Sequence, residues 1–451
     1  MEAGLQQTPS ADRIHIAFFG RRNAGKSSLV NAITNQTMSI VSEIQGTTTD
    51  PVRKAMELLP LGAVVIIDTP GLDDEGTLGS LRMQKTKEIL HRTDLAVIVI
   101  NSTIEKTELE TKLEADLQQR QIPFLEVYNQ CDLHMPEQLP DGAIAVSAKT
   151  GFHISELKEK MAAYYQKQAP KASRSLLGNF VQQDDIILLV TPIDESAPKG
   201  RMILPQVQAI RSILDEEAIC LVVQPQQLQR TLSLLKQPPK LVVTDSQAFQ
   251  QVNQIVPPEI ALTSFSILYA HYHDVLQKAV TAAATLECLQ NHDQILISEG
   301  CTHHRQCNDI GTVKLPNWIQ TYTGKTLDFT WTSGNAFPDD LTPYRLIVHC
   351  GGCMLQPRVI QYRKELAAKA GVPFTNYGTL IAYVHGILRR SVSIFPELQE
   401  KMPHHIHETD RHFFINVIYY IQCRDFPAYY SSKKELIQSW QKIIHRKSQR
   451  Q

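Results

Sequence analysis

Gly20-Arg-Arg-Asn-Ala-Gly25-Lys26-Ser27 follows an apolar run at 14–19 and leads into a stretch carrying Leu29, Val30 and Ile33. Strand, glycine-bounded turn, then helix is the context in which a loop curls its backbone N–H groups inward around a phosphate. Lys26 would bring a cation to the β and γ phosphates, and the Ser27 hydroxyl suits Mg²⁺. The helix N-terminus adds its positive end. Gly20, Asn23, Ala24, Gly25, Lys26, Ser27 and Ser28 are therefore the candidate phosphate-binding residues.

The surrounding sequence supplies companions. Runs at 64–67, 95–100, 124–128 and 144–146 are almost continuously apolar, which predicts a parallel sheet covered on both faces. Helical patterns at 81–91, 108–120 and 155–165 lie between or after them. Asp68-Thr-Pro-Gly71 ends the run at 64–67; its carboxylate is placed for Mg²⁺ and the Gly71 N–H for sensing a γ-phosphate. Gly46-Thr-Thr-Thr-Asp50 suits a switch loop, with Thr48 preferred over Thr47 and Thr49 as the residue that reaches Mg²⁺. Asn129-Gln-Cys-Asp132 chooses the base: an ionised Asp132 accepts two hydrogen bonds from guanine, an edge that adenine does not present. Ser147-Ala148-Lys149 can offer a backbone N–H to the guanine oxygen.

These five motifs, over roughly residues 12–165, resemble a small GTPase domain, nearest to the MnmE/Era branch. Two departures matter. The usual lysine of the base motif is Gln130, which packs on a base more weakly, so nucleotide affinity should be low. After Gly71 stands Leu72, where Ras-like enzymes place a glutamine that orients water. In the branch resembled, an Asn of the phosphate loop binds K⁺. Asn23 occupies that position, and slow, K⁺-stimulated GTP hydrolysis is the expectation; a plain turn residue is the alternative.

With 451 residues, a prior of about three domains applies. Hydrophobic residues at 43% and charged residues at 20% exclude a disordered chain, and the net charge of −1 argues against a globally basic nucleic-acid binder. No apolar run reaches the ~18 residues of a membrane span, and residues 1–12 lack a signal pattern. A cytoplasmic protein is expected. Its eight cysteines are no disulfide framework and would remain thiols or metal ligands.

A polar linker at 166–175 precedes a second α/β unit with runs at 186–190, 219–223, 241–243 and 260–262. It carries no phosphate loop and reads as a scaffold or dimerisation module. A third unit starts near a helix at 269–289 and continues with runs at 294–298, 327–330 and 345–348 and a helix at 358–370. The expected architecture is α/β: a GTPase domain of P-loop fold at 1–168, a dimerisation domain at 176–266, a cluster domain at 267–408 and an extension at 409–451, each domain with a mostly parallel, helix-flanked sheet. No internal sequence repeat is evident.

Cys301-Thr-His303 and His349-Cys350-Gly-Gly-Cys353 each end a predicted strand of the third unit. In open α/β sheets, sites collect beyond the carboxyl ends of strands. Three Cys and two His could close a tetrahedral zinc site; three thiolates could equally hold a 4Fe-4S cluster with one exchangeable position. This pattern behind a GTPase domain resembles HydF, the FeFe-hydrogenase maturation GTPases. The resemblance implies that Cys301, Cys350 and Cys353 bind a 4Fe-4S cluster, with His303, His349 or Glu299 as possible fourth ligand. It also implies a homodimer that receives a diiron subcluster precursor from radical-SAM maturases and delivers it to apo FeFe hydrogenase; neither membrane nor nucleic acid is expected as a partner. The rivals are an RNA- or ribosome-associated GTPase with structural zinc, and a zinc hydrolase fused to a GTPase. Cys131 and Cys220 read as packing residues, Cys307 as a spare thiol, and the histidines at 404–407 as a polar loop.

Overall fold

A computed structural model describes residues 10–35, 52–72, 89–168, 175–178, 180–193, 202–301 and 309–399. The chain forms two compact units. One comprises residues 1–175 with 352–365, the other 176–351 with 366–451.

The first unit is built on a six-stranded sheet in the order β2-β3-β1-β4-β5-β6. The strands are β1 (Ile14–Phe19), β2 (Val52–Leu58), β3 (Gly62–Asp68), β4 (Leu95–Asn101), β5 (Phe124–Asn129) and β6 (Ile144–Ala145). β1, β3, β4, β5 and β6 run parallel, as their apolar sequences predict. β2 pairs antiparallel with β3 and was not foreseen. Its alternation of exposed Arg53, Ala55 and Glu57 with partly buried neighbours is that of an edge strand with one wet face. Helices Lys26–Thr34 and Ile154–Gln168 cover one face, packing Leu29, Ile33 and Leu157 onto Ile16, Phe18 and Val97. On the other face Leu113 and Leu117 of helix Glu108–Gln119 meet Ala17, Ile98 and Ile100. Of the helix expected at 81–91, only residues from 89 onward lie within the described part.

The second unit holds two all-parallel sheets. One has the order β10-β9-β7-β8, from β7 (Ile186–Val190), β8 (Ile219–Val223), β9 (Leu241–Thr244) and β10 (Ala261–Ser264). The other has the order β12-β11-β13-β14, from β11 (Gln294–Glu299), β12 (Asp328–Ser333), β13 (Tyr344–His349) and β14 (Phe374–Asn376). The two orders are the same. In each, the first strand lies between the second and the third, and the fourth lies outside the third.

Local sequence and geometry repeat with the topology, which corrects the expectation of no internal repeat. Before the first strand, Gln182 N–H donates to Asp185 Oδ2 at 2.7 Å, and Gln290 N–H donates to Asp293 Oδ2 at 2.7 Å. Asp184 (φ 66) and His292 (φ 69) take the same left-handed turn position. After the fourth strand, Leu262-Thr-Ser-Phe-Ser-Ile-Leu-Tyr-Ala-His-Tyr-His273 aligns with Phe374-Thr-Asn-Tyr-Gly-Thr-Leu-Ile-Ala-Tyr-Val-His385. Ser264 and Asn376 cap helices Phe265–Tyr272 and Tyr377–Val384 by accepting the N–H of Ile267 and Thr379. Both helices end in left-handed turns, at Asp274 (φ 54) and Gly386 (φ 71).

The repeats also exchange elements. Helix Leu276–Ala283 of the first packs on β14, where the Thr375 hydroxyl donates to Ala279 O at 2.9 Å. Arg390 of the second donates to Asn253 Oδ1 at 2.8 Å and to the carbonyls of Val256 and Ile260 at 3.0 Å.

Two further expectations need correction. The helix foreseen over 269–289 is three pieces, Phe265–Tyr272, Leu276–Ala283 and a 3-10 turn Ala284–Cys288, interrupted where Asp274 turns left-handed; the first piece crosses the boundary placed between 266 and 267. Cys220 is only half-buried, because β8 is the edge of its sheet and leaves Ile219 and Val222 exposed.

His15 lies buried in β1 with Nε2 2.9 Å from Ser10 O. Burial lowers its pKa to about 4, with Arg92 and Arg53 lowering it further and the Ser10 bond opposing. Its contribution to stability is present above 6.5 and lost as pH falls toward 4, since only the unfolded chain takes the proton. Asp94, which accepts the His15 N–H at 2.9 Å, slopes the other way: burial raises it to about 6, so its contribution is lost as pH rises through 6. Urea unfolding at pH 7 and pH 5 should show a smaller loss on acidification for His15→Gln than for the unaltered chain, by up to about 1.4 kcal/mol per pH unit. Equal losses would exclude this role for the imidazole.

Candidate functional site

The candidate phosphate loop leaves β1 under steric constraint. A Cβ on Gly20 would lie 2.2 Å from Val99 O on β4, and one on Gly25 (φ 82) would lie 2.2 Å from Asn129 Nδ2. Neither position tolerates a side chain. The Asn129 amide is the reason for the second approach. It donates to Ala24 O at 3.1 Å and Gly25 O at 3.4 Å, while its oxygen accepts the Ala148 N–H at 3.1 Å. One buried side chain therefore fastens the phosphate loop, the end of β5 and the 147–149 segment together.

Gln130, at the usual lysine position, adds a second fastening: its Nε2 donates to Asn23 O at 2.9 Å. Asn23 itself is exposed and left-handed (φ 59), so its main chain serves the turn. The Asp132 carboxylate accepts the Ser147 hydroxyl at 2.6 Å and stands exposed beyond it, while Lys149 is exposed. Cys131 is half-buried with its N–H on Val146 O.

Lys26 is buried, and its Nζ donates to Gly20 O at 3.0 Å and Arg21 O at 2.8 Å. The Ser27 hydroxyl donates to Asp68 Oδ2 at 2.6 Å, joining two of the candidate Mg²⁺ residues. The Thr69 hydroxyl on Phe18 O and the Leu72 N–H on Gly20 O hold the 68–72 segment, Gly71 included, against the loop. Leu72 packs on the apolar core, in keeping with its inability to orient water. Thr48 lies outside the described residues. One participant outside the sequence motifs is Glu110, which pairs with Arg21 of the phosphate loop; its readable signal is the capping pattern Thr107-x-x-Glu110.

In the second unit, β11 and β13 are neighbours, and between them the connections depart in opposite directions. Such a switch point opens a crevice at the carboxyl ends of the strands. Cys301 follows β11 and Cys350 follows β13. The Gly300 N–H donates to Cys350 Sγ at 3.0 Å, which brings that sulfur to the residue preceding Cys301. His349 is buried with Nδ1 2.8 Å from Cys350 O. Glu299 is buried, and its Oε1 accepts the Tyr377 hydroxyl at 3.2 Å. Tyr377 is held well above its ordinary pKa, first by burial and then by Glu299 and Cys350. Gly311 leaves room for this pair, since a Cβ there would lie 2.4 Å from both oxygens.

Three thiols around one centre are not what the structure holds. Among the described residues, no group of three or more His, Cys, Asp or Glu is gathered so as to hold a metal ion. Cys301, Cys350 and Cys353 are each half-buried thiols. His303 and Cys307 lie outside the described residues.

The sheet order and phosphate loop of the first unit define a P-loop GTPase domain, and a family model described as a 50S ribosome-binding GTPase matches residues 15–130. GTPase Der of Wolinella succinogenes is 27% identical over 196 residues, 40% of this chain and 41% of that protein. The tRNA modification GTPase MnmE of Bordetella petrii is 34% identical over 154 residues, 33% of each. The chain thus spans between a third and about two fifths of the length of these relatives. Among solved structures, the G domain of the T. maritima FeoB iron transporter is 23% identical with a TM-score of 0.27, covering 34% of this chain and 99% of that one. Aquifex aeolicus Era bound to GDP and AlF4⁻ is 18% identical with a TM-score of 0.32, covering 53% and 97%.

Beyond the GTPase domain, the hydrogen maturase F dimerization domain matches residues 176–274 and the hydrogen maturase F tetramerization domain matches 277–394. With these two modules in order behind a GTPase domain, the chain belongs to the hydrogen maturase F (HydF) family.

Gly25→Ala should weaken binding of a fluorescent GTP analogue at least about tenfold, because the methyl group meets the Asn129 amide at a left-handed position. Gly62→Ala, equally left-handed (φ 88) but with nothing within 4 Å, is the control and should bind as the unaltered chain does. Unchanged binding by Gly25→Ala would refute the fastening role of Asn129.

Proposed function

We propose that this hydrogenase-maturation GTPase hydrolyses GTP as a switch and carries a 4Fe-4S cluster in its second unit. In this role it accepts a diiron subcluster precursor from radical-SAM maturases and delivers it to apo FeFe hydrogenase in the cytoplasm. The observation that carries the reading is the Cys350 sulfur, fastened beside Cys301 at the switch point of the third sheet in a chain of this family.

In the nucleotide site, Lys26 exchanges its carbonyl partners for phosphate oxygens, and Ser27, Asp68 and Thr48 serve Mg²⁺. Gly71 N–H senses the γ-phosphate. Asp132, oriented by Ser147, selects guanine, and the Ala148 N–H, already aligned by Asn129, adjoins the base oxygen. Asn23 supports K⁺ in place of a water-orienting side chain, so hydrolysis is slow and rises in K⁺.

The donor set at the third sheet fits a thiolate-held group. The Gly300 N–H already faces Cys350 Sγ, as a backbone donor to a metal-held sulfur would. Cys301, Cys350 and Cys353 would hold the cluster, with Glu299, His349 or His303 as the fourth, exchangeable position. Such a cluster supplies an iron site that can bind cargo through a bridging group and release it. The exposed Ile219 and Val222 on the edge strand β8 support self-association through the middle domain.

Replacing Cys301, Cys350 or Cys353 by Ala should abolish hydrogenase activation while GTP turnover stays within about twofold; loss of both together would contradict two separable sites. GTP hydrolysis in K⁺ buffer should exceed that in Na⁺ buffer, and Asn23→Ala should erase the difference. Equal rates in the unaltered chain would rule out the K⁺ role.

A further inference from the structure

One side chain of the phosphate loop is spent on the protein and not on a ligand. Arg21 Nε donates to Glu110 Oε1 at 2.6 Å, and its Nη2 donates to Glu105 O at 3.2 Å. The Glu110 side chain is 1% exposed, so this is a desolvated pair and not a surface ion pair of negligible worth. Its other oxygen accepts the Thr107 N–H at 3.0 Å and the Thr107 hydroxyl at the start of helix Glu108–Gln119. Burial alone would raise this carboxyl; the Thr107 donors and Arg21 outweigh it and hold the pKa below the ordinary value.

The main chain of Arg21 is tied on its other side. Its carbonyl accepts Lys26 Nζ at 2.8 Å and the Ala24 N–H at 3.4 Å. The residue is thus gripped by a core helix through its side chain and by the phosphate lysine through its backbone. When phosphate arrives, Lys26 gives up the Gly20 and Arg21 carbonyls, and the loop then needs restraint from outside itself to keep its shape.

We infer that Arg21 and Glu110 are a positioning pair, a buried strut that holds the phosphate-loop backbone in the shape that receives the phosphates of a guanine nucleotide. The inference rests on the guanine-nucleotide reading of the site. Glu110 touches no ligand; it acts through Arg21 on the loop, and the loop acts on the phosphates.

The test uses the full chain and the release of fluorescent GDP followed by stopped flow. Glu110→Gln keeps an oxygen for the Thr107 N–H, so the helix start is preserved while the charge facing Arg21 is removed. Arg21→Met removes the other partner. Each single variant should release GDP about tenfold faster and raise KM for GTP more than it lowers kcat, with the circular dichroism spectrum of the unaltered chain retained. The double variant should be no worse than either single one, because the same strut is lost once. Unaltered release in the single variants, or effects that add in the double, would overturn the positioning role. An unaltered chain that binds no guanine nucleotide would overturn the nucleotide reading and this inference with it, whereas binding without any variant effect overturns the inference alone.

Discussion

Parallel strands can be joined only by crossing back over a face of their sheet, so the loops leaving their carboxyl ends all open on one edge. That constraint brings together the candidate groups among the described residues of each sheet. In the first unit it brings the segments after β1, β3, β5 and β6 to a single edge, where Asn129 binds three of them with one amide. In the third sheet it puts Cys301 and Cys350 just beyond the carboxyl ends of adjacent strands, with connections that diverge between them.

The repeat within the second unit gives the middle domain a meaning beyond its lack of chemistry. Its sheet has the same switch point, between β7 and β9, but Asp245 stands where the third sheet carries Cys350, and its carboxylate is occupied by Gln206 Nε2 at 3.0 Å. The same scaffold is filled by a polar pair in one copy and lined by thiols in the other. The copies exchange helix Leu276–Ala283 and Arg390, each packing on the last strand or its approach in the other copy. The middle module and the thiol-bearing module are therefore packed into one unit.

Much of this was legible in the sequence, for physical reasons. β1, β3 and β4 are buried on both faces, so their residues read as unbroken apolar runs. The phosphate loop and the base motif survive as fixed spacings, because backbone approaches of the kind seen at Gly20 and Gly25 forbid other residues. β2 was illegible because Arg53, Lys54 and Glu57 break its apolar pattern at a wet edge. The break at Asp274 was illegible because the apolar spacing continues across it while the backbone turns. The repeat was hidden since its identities are thin, Thr263 with Thr375, Leu268 with Leu380, Ala270 with Ala382 and His273 with His385, and the shared geometry lies in caps and left-handed turns. Tyr377 acts through a contact far apart in the chain, which no local spacing encodes, and Glu110 leaves only its capping pattern with Thr107, which says nothing of Arg21.

What the thiols of the third sheet bind decides whether this chain is a cluster carrier. Protein purified without oxygen, analysed for iron, acid-labile sulfide and zinc and examined by electron paramagnetic resonance after reduction, tests this most directly. Brown protein with iron and sulfide in equal amounts, and a cluster signal lost in Cys350→Ala, is the predicted result. Colourless protein holding zinc and no sulfide would contradict it.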